Sequence, residues 1–292
     1  MKMVKKILLG TLAVAAVLSL ASCGKREEAG NIEIKVGAGS KSASIDFKNE
    51  GEDTARGFKS LQTKHLDAIC HIETTVTDLV ANKGAVATGT MGYIFNLVKG
   101  TDDKYSFTIA GARYNQSTGN VEAYVETFKN IAKDDLEKTL TGGIKAEGSP
   151  AYVNGFGFKL LDKTEVDYAL AQQSTTPKKL ELWIDVVAND GTTTGRTGTA
   201  GTYTVSFYKA DPGRNSSANS FDLTYGSNRS DALIKQPVTI KTTEVFAAYD
   251  STKGLTSMQS DVGFYANVYK GQTLKGKWQF SQIKKEAEEI EE

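Results

Sequence analysis

The chain is poor in the side chains on which soluble chemistry most often rests. Its 292 residues include two histidines, His65 and His71, and two cysteines, Cys23 and Cys70. Read along one strand, histidines six residues apart stand roughly 20 Å from each other. They cannot jointly hold one metal unless the strand folds back, so both are expected at the surface, on the face they share with Asp67 and Glu73. The same scarcity speaks against Ser-His-Asp or Cys-His catalysis, because Cys70 projects from the face opposite both histidines. An excess of either charge is also missing, with 35 basic residues against 35 acidic. Nucleic-acid readers display a basic stripe that neutralises phosphates; none is present, and no nucleic-acid partner is expected. After the first two dozen residues no apolar run approaches the roughly 20 residues that a spanning helix needs.

What is there begins with targeting. Lys2, Lys5 and Lys6 precede an apolar run, Ile7 to Leu20, that is short for a membrane span and suits a signal peptide over residues 1–22. The run ends in Leu20-Ala21-Ser22-Cys23, which resembles the lipobox of bacterial lipoproteins. The resemblance implies diacylglyceryl attachment at Cys23 and cleavage just before it. Two acyl chains hold a protein stably at about 0.8 kcal/mol per buried methylene, so the membrane is an expected partner through the N-terminal lipid. Residues 23–30 then form a lipidated tether, with Gly24 to Gly30 as a polar leash. Gly rather than Asp at position 24 resembles the sorting pattern that favours the outer membrane or cell surface. Without the three signal lysines, 32 basic residues face 35 acidic ones, a net charge of −3. With Cys23 acylated, Cys70 has no internal disulfide partner; alternating with Leu66, Ala68 and Ile72, it is expected as a buried thiol.

The dominant period of the remaining chain is two. Ile32 to Val36, Ser44 to Phe47, His65 to Val76, Met91 to Val98, Tyr105 to Ala112, Val121 to Phe128, Phe156 to Leu161, Leu180 to Val187, Tyr203 to Lys209, Val238 to Thr243, Val262 to Tyr269 and Gly276 to Phe280 all read as strands. Only Lys133 to Leu140 reads as an internal helix, opened by Asp134 and Asp135 and stopped by Gly142-Gly143. A dozen short strands with so little helix predict an all-β fold, two antiparallel sheets packed as a sandwich or jelly roll over residues 31–281, with a charged tail at 282–292. The run "IETTVTDLVANKGAVATGTMGYIFNLVKGTDDKYSFTIAG", with the later "ELWIDVV", "TVSFYKADPG" and "VGFYANVYKGQTLKGKWQF", resembles concanavalin A-like domains of the laminin-G and laminarinase type. A "G-(Y/F)-(I/V)-F" strand, a "Y-x-F-x-I" strand, a "G-x-Y-A" strand and a closing "W-x-F" strand carry that likeness.

Candidate chemistry concentrates in Leu180 to Val186. Leu180, Leu182, Ile184 and Val186 make one aliphatic face, and the other carries Glu181, Trp183 and Asp185. An indole between carboxylates suits a sugar, stacking on an apolar ring face while the acids accept hydroxyl hydrogen bonds; the alternative is a tryptophan covered by a loop or by the second layer of the fold. Tyr265, Asn267 and Tyr269 share a face of a later strand and form a second set. Laminarinase-like enzymes, which the chain resembles, place carboxylates at three alternating positions of one strand, but here Trp183 takes the middle. Positions four apart lie about 13 Å apart at Cα, and a retaining pair needs carboxyls about 5 to 5.5 Å apart, a span the short Asp185 bridges poorly. Gly37 to Ser42 lacks phosphate-loop spacing and reads as a turn. Asp102-Asp103 and Asn189-Asp190 lack a calcium-loop ligand run, so no metal and no cofactor are expected. Three functional readings follow, in order: an envelope lipoprotein whose sandwich binds glycan, a structural or adhesive surface protein meeting a protein partner, and a glycoside hydrolase.

Overall fold

Strands that are apolar on one face and polar on the other bury the apolar face by pairing edge to edge and stacking in layers. The computed structural model describes residues 31–36, 42–48, 54–80, 89–101, 104–132, 152–172, 175–216, 221–226, 237–269 and 273–280, and the side chains of those between 64 and 265 other than 215 and 216. The strands are β1 (Asn31–Val36), β2 (Ser42–Lys48), β3 (Thr54–His65), β4 (Ala68–Thr75), β5 (Thr90–Lys99), β6 (Lys104–Asn115), β7 (Asn120–Ala132), β8 (Tyr152–Leu161), β9 (Lys179–Ala188), β10 (Tyr203–Tyr208), β11 (Asn215–Ser216), β12 (Leu223–Thr224), β13 (Val238–Ile240), β14 (Ser260–Tyr269) and β15 (Thr273–Phe280). Among the described residues they form a seven-stranded sheet, β1-β2-β15-β4-β9-β10-β13, a six-stranded sheet, β3-β14-β5-β6-β7-β8, and the small hairpin β11-β12. Every pairing is antiparallel. The protein is an all-β sandwich of two packed sheets.

The core lies between the sheets. Cys70, Ile72, Leu182, Ile184, Val186, Val205 and Phe207 of the seven-stranded sheet meet Tyr93, Phe95, Ala110, Val125 and Phe264 of the six-stranded one, all buried. Each large side chain buried there stabilises the fold by about 1.5–3 kcal/mol. Pairing and connections give the sandwich two unlike poles. At one, the chain leaves β4 and β8 through α1 (Val76–Val80) and α2 (Lys163–Ala171), whose Leu79 and Val166 plug the core. At the other lie the turn at 66–67, the β9–β10 loop 189–202 and the β13–β14 connection 241–259.

The expected strand His65 to Val76 is two strands. The chain breaks at Leu66-Asp67 and crosses from the six-stranded sheet to the seven-stranded one. His65 therefore ends β3 while His71 sits on β4, and His65 is buried rather than exposed. Strand β3 and helix α2 are not anticipated by the alternation. Helix α2 is opened by a capping box in which the Asp162 carboxylate accepts from the Glu165 N–H and the Glu165 carboxylate accepts from the Asp162 N–H. The expected strand Val238 to Thr243 stops at Ile240 and passes into a 3-10 turn, Thr242–Glu244. The expected signal peptide, Cys23, the helix at 133–140 and the tail lie outside the described residues.

Candidate functional site

Strand β9 carries its alternation as the sequence implies, with Leu180, Leu182, Ile184 and Val186 in the core and Glu181 and Trp183 on the outer face. Antiparallel pairing sets His71 of β4 opposite Trp183, and Glu73 opposite Glu181. Side chains opposite each other share a face and touch. The His71 imidazole stacks on the Trp183 indole, ring centres 4.2 Å apart and planes 11° from parallel. The exposed Glu181 carboxylate stands 3.8 Å from His71 Nε2, a contact longer than a hydrogen bond. His71 Nε2 is itself buried and makes no hydrogen bond among the described residues. The indole is half-buried: His71 of β4 stacks on one ring face, and the buried Tyr208 of β10 stands opposite Trp183 on the other side.

Asp185 is not part of that open patch. It is buried, and Arg214 Nη1 donates to its Oδ1 at 2.6 Å while Tyr225 also bonds to it. Arg214 Nη1 lies 3.0 Å from Asp67 Oδ2 and donates to the Val186 carbonyl. Asp67 is shared with Arg196, whose Nη2 lies 3.3 Å from Oδ1 and whose Nη1 and Nε donate to the carbonyls of Ala188 and Phe221. Two carboxylates and two guanidinium groups thus neutralise each other at the loop pole. Arg214 and Tyr225 come from described parts of the chain between β10 and β13 and reach this end of β9. Burial pushes the Asp185 carboxyl upward against the pull of Arg214. Burial also disfavours the Arg214 cation, but Asp185 and Asp67 outweigh it and raise its pKa. Nearby, burial holds the His65 imidazole at about 4 against the opposing charge of Asp67, and burial pushes the Cys70 thiol well up. The sequence offers a carboxylate on the right face; that Arg214 claims it is a long-range fact that alternation does not carry.

The second set of expected residues lies elsewhere. Tyr265, Asn267 and Tyr269 are on β14 in the six-stranded sheet, whereas Trp183 is in the seven-stranded one, so the two sets do not share a face. Asn267 and Tyr269 are placed by register alone, opposite Arg56 and Thr54 of β3. Tyr265 is buried on the outer side of its sheet with Ile94, Leu97, Phe107, Ile109, Tyr124, Phe128 and Ile131.

That outer side holds a feature the sequence reading missed. Glu122-Ala123-Tyr124-Val125-Glu126 repeats the carboxylate, aromatic, carboxylate alternation of β9, and the same period-two signal could have found it. Arg113 of β6 bridges both acids, Nε 3.3 Å from Glu122 Oε2 and Nη1 2.6 Å from Glu126 Oε1. Asn115 donates to Glu122 Oε1 at 2.9 Å, Thr90 and Tyr124 share a hydroxyl hydrogen bond of 3.1 Å, and the guanidinium lies 4.6 Å from the Tyr124 ring centre. Glycines on adjacent strands give these side chains room. A Cβ at Gly92 would stand 2.7 Å from the Ile109 side chain, and one at Gly157 3.0 Å from Glu122 Oε2. Burial disfavours the Arg113 cation, yet Glu126 and then Tyr124 and Glu122 raise its pKa. The set is buried and its groups satisfy one another.

Among the described residues no group of three or more His, Cys, Asp or Glu is placed to hold a metal ion. The chain matches no protein-family model and no curated protein sequence. The functional reading therefore rests on its own residues.

Proposed function

We propose that the chain is a lipid-anchored envelope protein, held through Cys23 at the outer membrane or cell surface, whose sandwich, of the concanavalin A-like jelly-roll kind, is a glycan-binding module. One observation supports the ligand class: a half-open indole, Trp183, held in place by the stacked His71 and flanked by the exposed Glu181 carboxylate. A rigid aromatic beside an acceptor suits a pyranose, whose apolar face stacks while its hydroxyls donate. Asp185 leaves the binding set because Arg214 holds it, and the β14 residues leave it because they belong to the other sheet.

Protein recognition is the second reading. It draws on the same place, since the half-buried Trp183 lies on the outer face of its sheet with the exposed Glu73, Glu181 and Lys179 to one side, polar groups beside an aromatic such as interfaces use. Hydrolysis has less support. A glycosidase needs two free carboxyls about a reacting bond, and of the pair on β9 Asp185 is committed to Arg214, while Glu122 and Glu126 are both committed to Arg113. The deciding experiment is a glycan array probed with wild type and Trp183→Ala. We expect wild-type signals on a restricted set of sugars and their loss, by about tenfold or more, in the variant, as removing a stacking aromatic implies. Robust binding that ignores the substitution would remove Trp183 from the site, and silence of both proteins beside capture of a surface protein would favour the second reading.

A further inference from the structure

Beside Trp183, His71 carries an unfinished polar atom. Its Nε2 is buried and makes no hydrogen bond among the described residues, while Glu181 Oε2 stands 3.8 Å away, too far to serve. A buried polar atom left in that condition destabilises the state that holds it. The two side chains differ in freedom. That of His71 is 16% exposed and fixed by its stack on the indole, whereas that of Glu181 is 49% exposed and open to other rotamers.

A proton on His71 completes the atom. An imidazolium donates from both ring nitrogens, and a charge-assisted N–H···O bond spans about 2.7–2.9 Å, so the Glu181 carboxylate has about 1 Å to move. The cation also lies over an aromatic face, with ring centres 4.2 Å apart, inside the roughly 6 Å across which a ring attracts a cation. Both gains belong to the charged form. Imidazole ordinarily changes its charge between pH 5 and 8, where solvated carboxylates and ammonium groups keep theirs. Around His71 the latter are Glu73 on β4, Glu181 and Lys179 on β9 and, on β15, Lys277 opposite His71 and Lys275 opposite Glu73, the last two placed by register alone. They set a constant background. Asp185, on β9 at the next outward-facing position, is bonded to Arg214, and Tyr208 of β10 lies beyond Trp183.

We propose that His71 is a proton-operated control of the Trp183 site: neutral, it leaves the Glu181 carboxylate free to accept from a sugar hydroxyl, and charged, it takes that carboxylate for itself, so that binding weakens on acidification. The consequence for the ligand rests on the reading of Trp183 and Glu181 as a glycan site, whereas closure of Glu181 on His71 rests on the geometry alone. Linkage makes the effect reciprocal, and a ligand that needs Glu181 free expels the proton from His71.

Indole emission of the full chain in detergent, followed from about pH 8 to 5, reads the proton without any ligand. A stacked imidazolium quenches an indole far more than a neutral imidazole does, so wild type should lose emission in a one-proton step. His65 titrates lower, at about 4, and Trp278 is opposite Cys70 rather than His71. His71→Phe keeps a ring in the stack and has no proton to gain, and it should show no step; an equal step in that variant would assign the quenching to another group, Asp185 included, and overturn the proposal. A glycan array run at the two ends of the range reads the consequence. Wild-type signals should fall about tenfold in acid, the scale of one hydrogen bond to a charged group. They should be level with pH in His71→Phe, and in Glu181→Gln they should sit at the acid level throughout. Wild-type signals that ignore pH, or Glu181→Gln signals that fall with acid as those of wild type do, overturn the proposal and leave the glycan reading standing. A silent array beside an emission step that needs His71 supports the proton-operated closure and sinks the glycan reading instead. Should His71→Phe fail to fold, His71→Gln replaces it, and a wild-type chain without any step overturns the proposal by itself.

Discussion

At the scale of single residues, the loop pole shows what buried charge does for this fold. Asp67 and Arg196 are fully enclosed, and each is held by partners from distant parts of the chain. Such clusters contribute little net stability over an apolar replacement, but removing one member leaves the others unpaired in a medium that solvates them poorly. We expect Asp67→Asn to cost about 3–5 kcal/mol in urea unfolding; a loss below about 1 kcal/mol would mean that water reaches Arg196 and Arg214. His65, two residues away, gives the pole a pH dependence. Its folded pKa, about 4, lies below the unfolded value of 6.5. As pH falls from 6.5 towards 4 the unfolded chain takes up a proton that the folded chain refuses, so stability declines across that window and levels off below it. The shift is worth at most about 3 kcal/mol. His65→Gln should flatten the dependence between pH 6.5 and 4, and an unchanged slope in the variant would assign it to other groups.

At the scale of elements, period-two alternation carried most of the strands and the aliphatic core face of β9. It failed in instructive places. Leu66, Ala68, Cys70 and Ile72 keep one unbroken alternation through the turn at 66–67, because the residues on either side of the crossover feed the same core, and so two strands read as one. Strand β3, with Lys59, Ser60, Gln62, Thr63 and Lys64, has too few apolar residues to announce itself. Helix α2 was legible through Asp162 and Glu165, a local signal that period-two scanning passes over. The tetrad at the loop pole was not legible at all, since Asp67 and Arg196 are 129 positions apart and no local rule joins them. Close strand approach is likewise visible only in three dimensions. A Cβ on Gly111 of β6 would strike the Met91 carbonyl of β5, backbone that cannot step aside, whereas at Gly226 the nearest atom is 3.6 Å away. Gly111→Ala should therefore cost about 3 kcal/mol or more, the upper range for overpacking, with Gly226→Ala within about 0.5 kcal/mol of wild type. Equal melting temperatures for the two variants would show that β5 and β6 can separate without loss.

At the scale of the whole molecule, the proposed membrane attachment can be tested separately from the fold. The described strands begin at Asn31 and the described core runs from Leu66 to Phe264, and no described helix is long and apolar enough to cross a membrane. On the proposed anchoring, attachment rests on the acyl chains at Cys23, which at about 0.8 kcal/mol per methylene exceed what one surface aromatic or a few lysines supply. Cys23→Ser should then move the protein from the membrane fraction to the soluble fraction while its unfolding midpoint stays where it was. Asp67→Asn should do the reverse, lowering the midpoint and leaving the protein with the membrane. Detergent-dependent retention of Cys23→Ser would place the anchor elsewhere, and a fall in its midpoint as well would mean that lipid attachment and the sandwich are energetically coupled.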